Sequence, residues 1–168
     1  LFYKENFNEA LTEYQKALEV RVKIHGTDHA DVAASHNNIG NVLDKLEQYD
    51  EALKEYLKAL DILKNIKGAE ALMFAQVLTN IGNVLMKKED YTEALLYHEK
   101  ALEIALERLD ENHIFLAKIL NNLANANRRI KRYSEALFYY KKVLDIEKLE
   151  FGADNEFASK TAKLIEEL

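Results

Sequence analysis

Cysteine, proline and tryptophan are absent from the 168 residues of this chain, and glycine occurs only 5 times. A chain without cysteine has no disulfide framework and no thiolate chemistry, which is compatible with a cytoplasmic protein. The absence of proline and the scarcity of glycine favour long, uninterrupted helices. The sequence also lacks an apolar run long enough to cross a bilayer, and it shows no signal-peptide pattern. We therefore expect no membrane partner.

Positive charge is in the minority, since 23 Lys and Arg residues stand against 29 Asp and Glu residues, for a net charge of −6. Nucleic-acid binding requires a basic surface, so this balance argues against nucleic acid as the main partner. A nucleophile would need cysteine, or a serine with a base within reach. Ser35 precedes His36, but adjacent residues of a helix point in different directions. Because a glycine-rich phosphate loop is also missing, the sequence indicates a protein that is not an enzyme and uses no cofactor.

A unit of 42 residues recurs along the chain without insertions. Its complete copy at 72–113 contains Gly82, which corresponds to Gly40 one period earlier and to Ala124 one period later. A fixed period of roughly 20 to 50 residues is typical of a repeat array. We predict a single array over residues 1–168, with a partial repeat at 1–29, repeats at 30–71, 72–113 and 114–154, and a capping or partial helix at 155–168. Because the chain starts with Leu1 in mid-repeat, we expect it to be a fragment of a longer protein.

Apolar residues spaced three and four apart predict two helices in each repeat. After a helix tail at 1–5, the predicted helices cover about 6–24, 30–45, 49–66, 72–87, 91–109, 114–130, 133–149 and 155–168. Left-handed glycines are expected to end the second helices, at Gly26, Gly68 and Gly152. Asp28 is expected to cap the helix that follows Gly26. Short links between partner helices require antiparallel hairpins.

The residue pattern within each unit resembles a known repeat family. A small residue on the first helix, followed by Ala, Tyr and Ala on the second, is similar to the tetratricopeptide repeat, as at Gly40, Ala52, Tyr56 and Ala59. That repeat usually has about 34 residues. The unit here has 42, and its segments Asp-Val-Ala, Asn-Asn-Ile-Gly, Tyr-x-Glu-Ala-Leu and Lys-Ala-Leu-x-Ile resemble the longer repeat of kinesin light chains.

The resemblance covers nearly the whole chain. It implies an all-α, right-handed α-solenoid of antiparallel helical hairpins, the tetratricopeptide superhelix. It also implies a cytoplasmic adaptor or scaffold for protein-protein interaction, which binds a peptide segment in a concave groove lined by the first helices. Two other roles stay open: a structural spacer or self-association segment, and a regulatory arm of a larger enzyme.

Several positions depart from the family pattern. Ala30 stands where the family often has proline, and the proline that typically follows the second helix is absent. His98 replaces the recurrent tyrosine, and Asn127 stands where the earlier repeats have leucine. Glu166 falls at the register of the small residues, and an unpaired carboxylate buried there would be costly. We therefore predict that Glu166 is exposed and that the last helix caps the stack.

Asparagine is concentrated on the first helices. An amide side chain both donates and accepts hydrogen bonds, so it can hold an extended peptide backbone of any sequence. The resemblance implies that these positions face the groove, and the predicted peptide-binding asparagines are Asn37, Asn41, Asn83, Asn121, Asn122 and Asn125. The alternative is that some of them only join one helix to another.

A local excess of basic residues accompanies the last of these asparagines. Residues 114–132 contain Lys118, Arg128 and Arg129, as well as two further basic residues, and contain no Asp or Glu. Arginine can hold a carboxylate with two parallel hydrogen bonds, so this stretch predicts an acidic peptide partner. The alternative is that cations late in a helix favour its dipole, which explains Arg128 and Arg129 but leaves Lys118 unexplained.

Apolar residues also occupy positions that the helix core does not require. These are Leu96, Tyr97, Phe138 and Tyr139, where the earlier repeats have threonine, lysine and glutamate. If exposed, they form an outer patch suited to a partner or to self-association. Packing beneath a neighbouring side chain is the alternative.

Five histidines remain: His25, His29, His36, His98 and His113. His25 and His29 have a spacing that could bind a metal on a helix, but Gly26 interrupts that helix. Because His113 lies two periods after His29, both are expected to serve turns. We predict that His36 packs on an inner helix and that the chain has no metal site.

Overall fold

The computed structural model describes residues 2–66, 71–152 and 155–168. Within these ranges it consists of eight helices and no strands. The helices are α1 (Phe2–His25), α2 (Ala30–Lys45), α3 (Tyr49–Asn65), α4 (Ala71–Lys87), α5 (Tyr91–Leu106), α6 (Ile114–Arg129), α7 (Tyr133–Phe151) and α8 (Glu156–Glu166). None of the helices in the described ranges has the length and apolar character that a membrane span requires.

The chain divides into two compact units, Leu1–Val84 and Leu85–Leu168. In the first unit, α2 packs against α3 and also against α1. In the second unit, α6 packs against both α5 and α7, and α8 packs against α7. The hairpins predicted from the short links are therefore present in each unit.

Small residues allow the two helices of a hairpin to approach closely. Gly40 of α2 faces the ring of Tyr56 on α3, so closely that a Cβ atom at Gly40 would lie 2.6 Å from the ring. Ala124 on α6 is buried with Ala136 and Tyr140 of α7 in the corresponding hairpin. Both tyrosines are almost fully buried and fill the space between the small residues.

The turn inside each hairpin is closed by a residue with a left-handed backbone. Glu47, Glu89 and Lys131 have φ angles of 63°, 66° and 63°, and they are spaced by one repeat. After each of them, the next backbone N–H donates to the carbonyl five residues earlier, as from Gln48 to Leu43 over 2.9 Å. This is the Schellman pattern of helix termination, here without its usual glycine.

Glycine ends the second helix where the sequence predicts it. Gly26 and Gly152 have φ angles of 78° and 89°, which confirms their left-handed role. Gly68 lies outside the described residues. Asp110 stands at the same register in the third repeat, and its Oδ1 accepts a bond from the N–H of Asn112 over 2.9 Å. Without a glycine there, α5 ends at Leu106, three residues before the predicted end.

In each described turn between one repeat and the next, the following helix is capped by the residue at the register of His29. Nδ1 of His29 accepts a hydrogen bond from the N–H of Asp31, and Nδ1 of His113 accepts one from Phe115, both over 3.1 Å. Asn155 caps α8 through Oδ1. The expectation that His29 and His113 serve turns is thus confirmed, whereas the expectation for Asp28 is wrong. His29 has the extended backbone of an N-cap residue, and Asp28 lies one residue too early.

Two predictions at the ends of the chain have different outcomes. The predicted break before Asn6 is wrong, because α1 runs unbroken from Phe2 to His25 and no glycine or proline interrupts it. Glu166 is exposed, as predicted. Leu164, Ile165 and Leu168 pack against the buried cluster around Tyr140, and the role of α8 as a cap stays a prediction.

Candidate functional site

In the second repeat, the predicted peptide-binding asparagines bond to other helices. Nδ2 of Asn80 on α4 donates to Oδ1 of Asn37 over 2.9 Å and to Oδ1 of Asn41 over 3.1 Å. The hydroxyl of Tyr56 also donates to Asn41 Oδ1, over 2.8 Å. The side-chain oxygens of Asn37 and Asn41 are therefore engaged within the fold, and Asn37 is buried as well. A role of these two residues in peptide binding stays a prediction.

The asparagines of the fourth repeat lack the donor that Asn80 provides to those of the second. The Tyr140 hydroxyl donates to Asn125 Oδ1 over 2.6 Å, as Tyr56 does to Asn41. However, the residue two periods after Asn80 is Leu164, which is packed on the apolar cluster and cannot donate. Asn121 is half-buried and makes no hydrogen bond to the described part of the chain. Its amide therefore remains available.

Two of the predicted asparagines lie between these extremes. Asn83 and Asn122 are half-buried, and each has a partner for its polar side chain. Each of them can bind a ligand only through the amide atoms that are not already bonded to its partner in the protein.

The three predicted basic residues of α6 have different environments. Lys118 is exposed and forms no hydrogen bond or ion pair with any described residue. Arg129 is also exposed, and its Nη2 donates to the Tyr91 hydroxyl over 2.6 Å. Its guanidinium carbon lies 4.9 Å from the centre of the Tyr91 ring, an arrangement typical of a cation–π contact. Arg128 is half-buried, and its Nε is buried without a partner in the described chain.

Acidic side chains lie near Arg129 on the side of Tyr91, where Glu89, Asp90 and Glu93 line a hollow together with that tyrosine. The carboxylate of Glu89 lies 3.9 Å from Arg129 Nη2, and both side chains are largely exposed. Exposed pairs at such a distance contribute little. The guanidinium of Arg129 is therefore oriented mainly by the tyrosine ring, and its ion pair with Glu89 is weak.

The predicted outer patch is partly exposed. Leu96 and Phe138 are each 54% exposed, whereas Tyr97 and Tyr139 are half-buried, and burial raises the pKa of both hydroxyls. Phe138 meets Tyr139 edge to face, with ring centres 5.4 Å apart. These two residues line a cavity of about 370 Å³ between α5, α6 and α7, whereas Leu96 lines a different hollow.

Two histidines in the helices have contrasting environments. His36, predicted to pack on an inner helix, is mostly buried, and its Nδ1 lies 2.6 Å from Glu55 Oε2. That hydrogen bond is the main reason that the pKa of Glu55 is lowered, with Lys58 adding to the effect. His98 is fully buried, and neither ring nitrogen has a partner in the described chain. Burial lowers the pKa of His98 to about 4.

Sequence reasoning missed the polar contacts that join the helices. One signal was present: Tyr56 follows Asn41 by 15 residues, and Tyr140 follows Asn125 by the same interval. The contact between Arg129 and Tyr91 had no such signal, because arginine does not recur at this register. The second repeat, for example, has Lys45 there.

The chain is an all-α solenoid built from helical hairpins. Its helices pair in antiparallel fashion, small residues face a buried tyrosine, and the turns repeat every 42 residues. The chain belongs to the tetratricopeptide repeat family, which it matches over residues 1–65 and 73–148. Members of this family typically act as protein-protein interaction modules and not as enzymes. The chain is accordingly a module that binds protein partners.

Solved structures of low sequence identity share the fold. A Podosopora anserina protein assigned as a kinesin light chain, with nearly identical TPR-like repeats, has a TM-score of 0.78 and 15% identity, over 97% of this chain and 78% of its own. BtubC (BKLC) from P. vanneervenii has a TM-score of 0.78 and 15% identity, over 94% of this chain and 62% of its own. The N-terminal domain of stress-induced protein-1 from C. elegans has a TM-score of 0.61 and 23% identity, over 80% and 95% of the two chains. No curated protein sequence matches the chain significantly.

Proposed function

We propose that the chain is an adaptor or scaffold, similar in role to kinesin light chains, that binds an acidic peptide segment on the exposed face of α6. The observation that carries this proposal is the charge of residues 114–132. They include five basic side chains and no acidic one, in a chain with a net charge of −6. A segment of opposite charge is the partner that this face would attract.

Lys118 is the strongest part of the argument. It lies in the second turn of α6, near the positive end of the helix dipole, where a cation does not stabilise the helix. It is exposed and has no partner among the described residues. Its charge is thus not explained by the stability of the fold, and it is free to bind a carboxylate.

Arg129 and Asn121 would orient the bound peptide. The planar guanidinium of Arg129 can bind a carboxylate through two parallel bonds, and its contact with the Tyr91 ring reduces the freedom that binding would otherwise remove. An acidic ligand would replace only the weak pair with Glu89. The unbonded amide of Asn121 can both donate to and accept from a peptide backbone.

Fluorescence anisotropy with a labelled peptide rich in Asp and Glu tests the proposal. The neutral control peptide has Asn and Gln at the same positions. Binding is measured at about 0.01 M and about 0.15 M salt, where the Debye length is about 30 Å and about 8 Å. We expect the chain to prefer the acidic peptide and to bind it more weakly at the higher salt concentration.

The decisive variant is Lys118→Glu with Arg129→Glu. Arg128 is left unchanged because its Nε is buried, so that a substitution there would test folding as well as binding. The matched control is Lys64→Glu with Lys100→Glu, two exposed lysines of α3 and α5, which changes the net charge equally. We expect the first variant to lose at least about tenfold in affinity, or about 1.4 kcal/mol, and the control to change much less. Equal losses in both variants would contradict a site on α6.

Self-association is a second candidate, because Leu96 and Phe138 expose more than half of their surface. Large exposed apolar side chains often mark an interface. This candidate places the interface on α5 and α7, so it does not compete with a peptide on α6.

A further inference from the structure

We propose that the turn between α1 and α2 holds a divalent transition-metal ion, with His25, His29 and Asp31 as ligands. One potential ligand atom from each residue lies within 4.8 Å of the other two. Two imidazoles and one carboxylate are a ligand set that suits zinc and its neighbours cobalt and nickel. The site is independent of the proposed peptide site on α6.

The turn itself brings the three residues together. His25 ends α1, and Gly26 follows with a φ of 78°, so the chain reverses its direction at once. As a result the His25 ring stacks on the His29 ring, with centres 4.2 Å apart and an angle of 13° between the planes. The sequence spacing suggested that Gly26 would separate the two histidines, and the left-handed turn has the opposite effect.

The distances from Asp31 to the two histidines are close to those between the ligands of a bound ion. Oδ2 of Asp31 lies 3.6 Å from His25 Nε2 and 3.6 Å from His29 Nδ1. Tetrahedral zinc with bonds of about 2.0–2.1 Å holds neighbouring ligand atoms about 3.3 Å apart. For these two pairs a contraction of a few tenths of an ångström would be enough. The two histidine rings, which are stacked almost in parallel, would also have to rotate so that a nitrogen of each points at the same ion.

The last turn of the same register shows that the positions of His25 and Asp31 lie close together in space. It also shows that neither side chain is needed to cap the following helix. The equivalents of His25 and Asp31 in the last turn are Phe151 and Phe157, whose rings are in contact with centres 5.4 Å apart. Asn155 nevertheless caps α8 there. The first turn therefore replaces an apolar contact with two metal-ligating groups while keeping its cap.

Two neighbouring interactions set the strength of the site. Arg21 donates to the backbone carbonyl of Asp31 and to Ser35 Oγ, and these bonds leave the Asp31 carboxylate free. Nδ1 of His29 accepts the capping bond from Asp31, and a metal at Nδ1 would displace that bond. Because the loss of that cap would destabilise the start of α2, we expect moderate affinity, with water completing the coordination of this exposed ion.

Isothermal titration of the chelator-treated, desalted chain with ZnCl₂ tests the proposal, and the absorption spectrum of the Co²⁺ form reports the coordination geometry. The variants are His25→Gln and Asp31→Asn, which each remove one ligand and leave the His29 cap intact. The control is His113→Asn, which removes an equivalent imidazole and retains an asparagine cap like that of Asn155. Circular dichroism establishes that every variant is folded.

We expect one zinc ion per chain, tetrahedral Co²⁺ bands, and a loss of at least about tenfold in affinity for each ligand variant. The His113→Asn control should bind zinc as the unchanged chain does. Zinc should also raise the melting temperature of the unchanged chain and not that of the ligand variants. Absence of zinc binding up to about 1 mM, the range of very weak sites, would overturn the proposal. Unchanged affinity in the ligand variants, or an equal loss in the control, would also overturn it.

Discussion

Replacing His98 with phenylalanine should make the chain more stable, and more so in acid. His98 is fully buried, and both of its ring nitrogens lack a hydrogen-bond partner in the described chain. Its register holds Tyr56 and Tyr140 in the second and fourth repeats, so the hairpin has room for a six-membered ring. Phenylalanine removes the two buried polar atoms and cannot be protonated.

The magnitude follows from the pKa of His98, which burial lowers to about 4 from an ordinary value of 6.5. The unfolded chain therefore binds this proton more tightly than the folded chain. Stability contributed by the neutral ring is present above about pH 6.5 and is lost as the pH falls towards 4. The loss amounts to about 2 kcal/mol at pH 5 and levels off at about 3 kcal/mol below pH 4.

Urea unfolding followed by circular dichroism at pH 7.5 and pH 5.0 measures the effect. Removing unsatisfied buried nitrogens should stabilise the His98→Phe variant by about 1 kcal/mol at pH 7.5. At pH 5.0 the advantage should rise to about 3 kcal/mol, because the unchanged chain alone loses the contribution of His98. Other titrating groups act in both proteins and cancel in the difference.

The control is His113→Asn, which removes an exposed imidazole and keeps the cap. It should leave the pH dependence of stability almost unchanged. If the unchanged chain and the His98→Phe variant lose the same stability between pH 7.5 and pH 5.0, the ring of His98 is not excluded from water and the reasoning is refuted.

Two further predictions concern packing and assembly. Gly40→Ala should lower the free energy of unfolding by about 1 kcal/mol in urea unfolding. Overpacking against Tyr56 costs about 1–3 kcal/mol, and the gain in helix propensity offsets only about 1 kcal/mol of it. An unchanged free energy of unfolding would show that the tyrosine ring moves aside freely. If the outer patch causes self-association, Leu96→Glu with Phe138→Glu should convert an oligomer to a monomer in light scattering, and an unchanged chain that is already monomeric would exclude this candidate.

The repeat period and most of the helices could be predicted from the sequence, because apolar periodicity and the left-handed glycines are local signals. The helix that begins at Ala30 and the terminators Gly26 and Gly152 are confirmed. The turns at Glu47 and Lys131 could not be predicted, since the backbone there is left-handed without glycine. Tertiary packing of the hairpin imposes that conformation where the residue itself does not favour it.

The candidate site was harder to predict because the role of each asparagine depends on its neighbour in the next repeat. Asn37 and Asn121 occupy the same register on similar helices, and their local sequences do not distinguish them. What separates them is the residue at the register of Asn80 in the repeat that follows each one. Asn80 donates to Asn37, whereas Leu164, at the register of Asn80, packs on apolar side chains and leaves Asn121 unbonded. A contact about one repeat away thus decides whether an amide belongs to the fold or is available to a ligand, and this selects α6 as the face to test.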